Sequence, residues 1–395
     1  MKKILFMLSS MNIGGVEKSL LSLLSVIPKE KYDITVLLLE KKGGFLNLVP
    51  DWVKVEEVKW FNKVKPIIMQ PPQQTIDNYM NNKQFFKVFP FVSSYLISKH
   101  MNDRYIYYKH VFKRIPNHKD KYDVAIAYQG PTDIIDYYLV NKVTANKKIS
   151  WIHFDVSKHP INVKLYNKLH NKFNKIFVVS KEARKRLIEK FPNDENKADV
   201  FLNIITPELI KELAKESCPF DDGFNGINIV TVGRLSREKG QDIAIKSLSK
   251  LKKKGYDVKW YCVGDGNARK EYEQLIENLG LHNDFILLGS KKNPYPYIQN
   301  ADIYVQPSRH EGYCLTLAEA KCLNKPIVST NFTGANEQLT NSFNGIIIKT
   351  SEEELTQKIL WLIDNPIIRE KLSTNLKVYN GNTTKEIAKF LNYIS

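Results

Sequence analysis

The stretch from Val305 to Leu323, VQPSRHEGYCLTLAEAKCL, constrains the fold more than any other part of the chain. The apolar run Ala301–Val305 reads as a buried strand, and Pro307 and Gly312 mark a short loop. Leu315, Leu317, Ala318, Ala320 and Leu323 then recur at helical spacing until Asn324 and Pro326 end the helix. The helix start carries the chemistry. Amides from Gly312 to Thr316 would be unpaired there, with the positive end of the helix dipole behind them, which makes a site for phosphate or another anion. Glu311 precedes those amides and Glu319 lies about one turn inside the helix. Two carboxylates beside an anion site cost electrostatic energy, and they make sense if they grip hydroxyls such as those of a sugar and a ribose.

Strand, glycine loop and helix recur along the chain. Lys3–Leu8 reads as a buried parallel strand, followed by the loop SSMNIGGVE and a helix bearing Leu20, Leu21, Leu24 and Ile27, the opening of a Rossmann-like unit. The loop is not G-x-G-x-x-G, but Gly14 and Gly15 allow a diphosphate to approach the backbone closely. Further strands are expected at 33–39, 53–58, 123–128, 148–152 and 175–180. His153 falls at the carboxyl end of one of them, between Trp151 and Asp155, where open α/β sheets place their sites. The polar stretch 206–226, with DDGFNG, reads as a linker. Asn228–Val232 then starts a second unit, followed by GRLSREKG. Arg234 leaves that strand and Lys239 opens the next helix; a guanidinium fork and a point charge one loop apart suit a diphosphate. Strands at 258–264 and 285–289 follow, the latter ending in GSKK.

Glu311, seven residues and Glu319, set in PSRHEGYCLTLAEA and followed by KPIVSTNFTGANEQL, resemble the E-x7-E signature of the retaining glycosyltransferases of family 4, group 1. The resemblance implies the GT-B fold, an α/β architecture of two Rossmann-like domains facing each other across a cleft. The expected division is an acceptor-side domain over 1–205, a linker over 206–226, a nucleotide-sugar-binding domain over 227–378, and a helix over 379–395 that crosses back to the first domain. It also implies transfer of a hexose from a nucleotide-sugar to an acceptor hydroxyl with the anomeric configuration kept. Gly14, Gly15 and Glu17 would meet the donor phosphates and sugar. Arg234, Lys239 and the backbone of Gly312, Tyr313, Cys314 and Leu315 would stabilise charge on the leaving diphosphate. Glu319 would bind the ribose, Glu311 and His153 would position the sugar, and the backbone at Gly289 and Ser290 would hold the base. His153, Glu311, Arg234 and Lys239 are thus the expected catalytic set. Asn203, near the domain junction, has a weaker claim, and Glu337 is expected to be structural. No protein general base is assigned, because the leaving phosphate is expected to deprotonate the acceptor. The chain has no D-x-D sequence to hold a diphosphate through a metal, so neither metal nor resident cofactor is expected. A UDP-sugar is expected ahead of a GDP-sugar.

Charge supplies the remaining expectations. The formal net charge is +17, and residues 1–200 contain 34 Lys and Arg against 19 Asp and Glu, whereas residues 201–395 contain 25 against 23. An anionic partner for the first half follows, either a membrane surface or a polyanionic acceptor. FFKVFPFVSSYLISKHMNDRYIYYKHVFKRI, from Phe85, interleaves Phe and Tyr with Lys, Arg and His. That pattern suits a membrane interface or, equally, two helices with their aromatic residues packed inside. The resulting expectation is an enzyme of bacterial envelope glycan synthesis (capsule, exopolysaccharide or teichoic acid), cytoplasmic and peripheral on the inner face of the membrane, with a lipid-linked or polyanionic acceptor. No apolar run approaches the ~18 residues of a membrane span, and MKKILFMLSS reads as a first strand and not a signal peptide. Cys218, Cys262, Cys314 and Cys322 lack metal or redox spacing and are expected as free thiols. Three rivals stand beside this reading: a nucleotide-sugar epimerase on the same fold, a nucleic-acid-binding protein, for which the chain offers charge but no motif, and a noncatalytic sugar-binding relative.

Overall fold

A computed structural model of the chain describes residues 1–216, 220, 223–378 and 381–395. Apolar runs bounded by loops form strands buried on both faces, and the helices between them cover those faces, as parallel sheets require. The first sheet has seven parallel strands in the order β3-β2-β1-β4-β5-β6-β7. They are β1 (Lys2–Leu8), β2 (Tyr32–Leu38), β3 (Lys54–Glu57), β4 (Lys121–Gly130), β5 (Thr144–Ile152), β6 (Lys175–Val178) and β7 (Ala198–Val200). Its helices are α1 (Gly15–Leu24), α2 (Phe61–Met69), α3 (Pro72–Asn81), α4 (Phe85–His100), α5 (Arg104–Val111), α6 (Asp133–Lys142), α7 (Val163–His170) and α8 (Lys181–Lys190). β5 begins four residues earlier than its apolar run. Its polar start, Thr144–Lys147, is held by pairing with the equally polar start of β4, where Lys121 lies opposite Thr144.

The second sheet has six parallel strands in the order β10-β9-β8-β11-β12-β13. It is preceded by α9 (Pro207–Leu213) and runs β8 (Ile227–Val232), α10 (Gln241–Lys253), β9 (Val258–Val263), α11 (Arg269–Asn278), β10 (Phe285–Leu287), α12 (Tyr295–Asn300), β11 (Ile303–Gln306), α13 (Leu315–Cys322), β12 (Ile327–Thr330), α14 (Ala335–Gln338) and β13 (Ile346–Ile348). α15 (Glu352–Asp364), α16 (Pro366–Lys377) and α17 (Ile387–Ile394) follow. In both sheets the strand order reverses beside the first strand of the unit, and the carboxyl ends there flank a crevice.

Two features depart from the sequence reading. The stretch read as a linker contains α9, started by Pro207 at its first position and anchored by buried Ile210 and Ala214. The segment 85–115 divides between its two readings. Phe91, Tyr107, Tyr108 and Phe112 pack inside, with Phe91 and Tyr107 edge to face at 5.9 Å, while Phe85, Phe86 and Phe89 stand 57, 69 and 79% exposed on α4. The terminal helix α17 lies on the first sheet. Phe390 is buried against Phe6 and Trp151, and the carbonyls of Tyr393 and Ile394 accept from Lys147 and Lys2. Cys262, Cys314 and Cys322 are buried free thiols, and Cys218 lies outside the described residues. No helix among the described residues is long and apolar enough to cross a membrane.

Candidate active site

The two sheets enclose a cleft of about 700 Å³ between the loops at their carboxyl ends. Gly14 and Gly15 enter it from the amino end of α1, and His153 enters from the end of β5. Arg234 and Lys239 come from the loop after β8, Ser290 from the loop after β10, and Glu311, Gly312, Tyr313, Cys314 and Leu315 from the loop between β11 and α13. Residues more than 300 positions apart in sequence therefore share one cavity. Gly289 and Glu319 do not line it. Gly289 sits just behind Ser290 with φ +71°, and its carbonyl accepts from the Gly264 amide at 2.9 Å.

The loop before α13 is held against the opposite domain. A Cβ on Gly312 would lie 2.4 Å from the His153 carbonyl oxygen, so only glycine permits this approach. The Gly312 carbonyl accepts from Ser180 Oγ at 3.1 Å. Cys314 adopts φ +66° as the residue capping α13, which turns the chain sharply into the helix. Glu337 strengthens the same interface: its carboxylate accepts from the Lys181 and Glu182 amides, capping the amino end of α8 from the other domain. Thr333 donates to Asp155 across the interface at 2.6 Å. These contacts give Glu337 and Asp155 a shared task, setting how the domains face each other.

Lys239 and Glu311, half-buried in the cleft, are paired with each other. Lys239 Nζ donates to Glu311 Oε1 at 2.5 Å, and Ser308 Oγ donates to the same oxygen at 2.9 Å. Burial presses the Lys239 pKa down, but the Glu311 carboxylate outweighs it and the net shift is upward. Lys239 thus stays protonated, and Glu311 is aimed by two donors. Arg234 is exposed, and its charge acts on Glu17 across the cleft. Burial nevertheless raises the pKa of Glu17.

His153 is held neutral. Burial lowers its pKa to about 3, against a weaker opposing effect from its bond to the Tyr128 main chain. Nε2 has no partner within the protein, which leaves the Tyr128 carbonyl to the Nδ1–H and makes Nε2 an acceptor for a ligand hydroxyl. The ring packs 4.8 Å from Tyr128 and parallel to Trp151, so its orientation is fixed.

Glu319 lies beneath the cleft, 2% exposed. Its Oε1 accepts from Lys18 Nζ at 2.7 Å and from the Tyr295 hydroxyl at 3.2 Å, while Oε2 has no partner. Lys18 also lies over the Tyr295 ring at 4.5 Å. This interdomain cluster was missed in the sequence. Lys18 follows GGVE directly, but nothing in the spacing ties it to a carboxylate 301 residues later. Ser180 and Thr333 were missed for the same reason, whereas Ser308 lies only three residues before its partner Glu311. Asn203 accepts from Ser19 Oγ at 2.6 Å, and its main-chain carbonyl accepts from Thr383, so it ties α1 to the chain returning from the second domain.

Residues 223–378 match the family described as Glycosyl transferases group 1. A glycosyltransferase of Methanocaldococcus jannaschii, MJ1059, is 29% identical over 290 residues, 64% of this chain and 69% of that protein. An N-acetylgalactosamine-N,N'-diacetylbacillosaminyl-diphospho-undecaprenol 4-alpha-N-acetylgalactosaminyltransferase of Campylobacter jejuni is 26% identical over 219 residues, 55% of this chain and 58% of the relative. Among solved structures, Anabaena Alr3699/HepE in complex with UDP-glucose superposes over the full length of both chains with a TM-score of 0.70 and 19% identity. The fold is GT-B, and these likenesses together support a glycosyltransferase.

Proposed function

We propose that this chain transfers a sugar from a nucleotide-sugar to an acceptor hydroxyl with retention of configuration, in the synthesis of a cell-envelope glycan. One observation carries the reading: Lys239, Glu311, Arg234 and the loop into α13 converge with neutral His153 in a single interdomain cleft. Departure of a nucleoside diphosphate places negative charge where the Arg234 and Lys239 cations and the helix-start amides lie. Such preorganised stabilisation is commonly the largest catalytic term. Glu311 and His153 Nε2 accept hydroxyls of the sugar and so fix its face. Glu319 does not line the cleft, so it acts on the donor side through Lys18 and Tyr295, which its Oε1 holds beneath the cleft floor. UDP-glucose in the structure similar to this chain favours a UDP-sugar as donor. The diphospho-undecaprenol in the name of the Campylobacter relative favours a lipid-linked acceptor.

A lipid-linked acceptor places the enzyme at a membrane. Phe85, Phe86, Phe89, Leu96 and Ile97 are exposed on α4, with Lys83 and Lys99 exposed beside them. Rings inserted among headgroups and cations meeting anionic lipid give this helix a surface to bind, on the inner face of a cytoplasmic membrane.

Incubation with UDP-glucose, UDP-galactose and their N-acetyl forms, with an undecaprenyl-diphosphate-linked sugar as acceptor, tests the reading. UDP release with an α-linked product by NMR is expected from these α-linked donors. An inverted linkage overturns retention, and the absence of UDP release across the panel overturns the donor assignment.

A further inference from the structure

A second cavity of about 200 Å³ opens beside the cleft, at the carboxyl ends of β4 and β5. Phe154 and His159 line both cavities, and their rings pack edge to face at 4.4 Å as the wall between them. The far side is built from α6, which brings Asp133 and Asp136, from Ile161 in the loop before α7, and from Tyr166 on α7. At ~30 Å³ per water the space holds roughly six or seven waters, the scale of one sugar ring.

Asp136 is the telling residue. It is 2% exposed, lines the cavity, and has only one oxygen satisfied: Oδ2 meets His170 Nε2 at 3.2 Å, while Oδ1 has no partner. His170 is itself buried, so it fixes the carboxylate in place. A buried carboxylate oxygen without a donor is costly, and a bound hydroxyl removes that cost. Asp133 stands on the same wall, partnered by Arg104 at 2.9 Å. The Tyr166 hydroxyl is turned away to Asp194 at 2.7 Å, which leaves the carboxylates as the polar groups of that side.

We infer that this cavity receives the terminal, uncharged sugar ring of the acceptor, with Asp136 Oδ1 and Asp133 accepting its hydroxyls and Phe154 meeting its apolar face. The inference rests on the glycosyltransferase reading and adds to it the place and chemistry of the acceptor end. Two carboxylates accept hydroxyls well and repel phosphate or carboxylate groups at close range. The selected feature is therefore a neutral polyhydroxylated ring, and any anionic part of the acceptor lies outside the cavity. Phe154 and His159 separate the cavity from the donor side, so the reacting hydroxyl is the one that reaches past their shared rim into the cleft.

Saturation-transfer NMR on the intact chain tests this without turnover. The probes are methyl glycosides of glucose, galactose and N-acetylglucosamine, with glucose 6-phosphate as the anionic counterpart, each with and without excess UDP. At least one neutral glycoside should bind in the presence of UDP and more tightly than glucose 6-phosphate. Its apparent affinity should fall about tenfold or more in Ile161→Trp, which fills the cavity from its rim, and in Asp136→Asn. A cooperative thermal transition checks the fold of each variant, and Ile161→Trp breaks no buried pair. Binding that UDP abolishes, or that both folded variants leave unchanged, overturns the inference. Because the readout is binding, a chain that transfers sugar yet fails this test refutes the cavity alone. A chain that passes it yet releases no UDP refutes the transferase reading alone.

Discussion

The amino-terminal sheet carries a net +15 over residues 1–200 and breaks its strand–helix alternation with the four helices α2–α5, whereas the carboxyl-terminal sheet is nearly neutral and alternates throughout. On the proposed function, the difference follows from what each half would hold. A diphosphate is the same object in every donor, so the loop after β8 and the start of α13 would meet it with local, short-range devices: a fork, a point charge and a helix terminus. An acceptor differs from one glycan to the next. The first half supplies a surface in place of a motif: a basic field, an exposed aromatic helix face and a carboxylate-lined cavity.

The comparison breaks most readily at Lys239. Lys239→Ala removes a cation from the diphosphate site and leaves Glu311 with only Ser308. A hydrogen bond to a charged group contributes ~1.5–3 kcal/mol, so kcat/KM should fall roughly 10- to 150-fold. Unchanged steady-state kinetics in the folded variant would sink the donor assignment.

Lys18→Ala probes the seam between the halves. It leaves Glu319 buried beside Tyr295 with no cation. Breaking a fully buried pair costs ~3–5 kcal/mol, and the partial exposure of Lys18 reduces this to about 2 kcal/mol. A urea titration should show the loss, and Lys18→Ala with Glu319→Gln should recover part of it. Additive losses in the double variant would mean that the two residues do not act as a pair.

Phe86→Ser with Phe89→Ser addresses the first half alone. Sedimentation with anionic vesicles should drop about tenfold as two exposed rings leave the headgroup region. Binding of the unaltered chain should weaken with salt as exposed cations are screened. Equal pelleting with neutral vesicles at any salt would remove the electrostatic part.

How much of this was legible in the sequence depends on range. Strand cores such as Lys2–Leu8 and Ile227–Val232, and the loop carrying Glu311, are written in consecutive residues, where apolar period and glycine placement suffice. The polar start of β5 was not, because Thr144–Lys147 become strand only through their neighbour β4. α4 resisted a single reading because its aromatic residues face two ways, Phe91 inward and Phe86 and Phe89 outward. The site was legible in its parts and not in its pairings. Lys239 and Glu311 read as separate ligands of phosphate and sugar, yet they hold each other, and Lys18 gave no sign of Glu319.

The central claim is that donor and acceptor are divided between the halves, and hydrogen–deuterium exchange with and without UDP tests it most directly. The account predicts slowed exchange at residues 233–240 and 312–317, with little change across α2–α5 and at the cavity wall of α6 and α7. Protection confined to the first domain, with the two carboxyl-terminal loops unaffected, would contradict it.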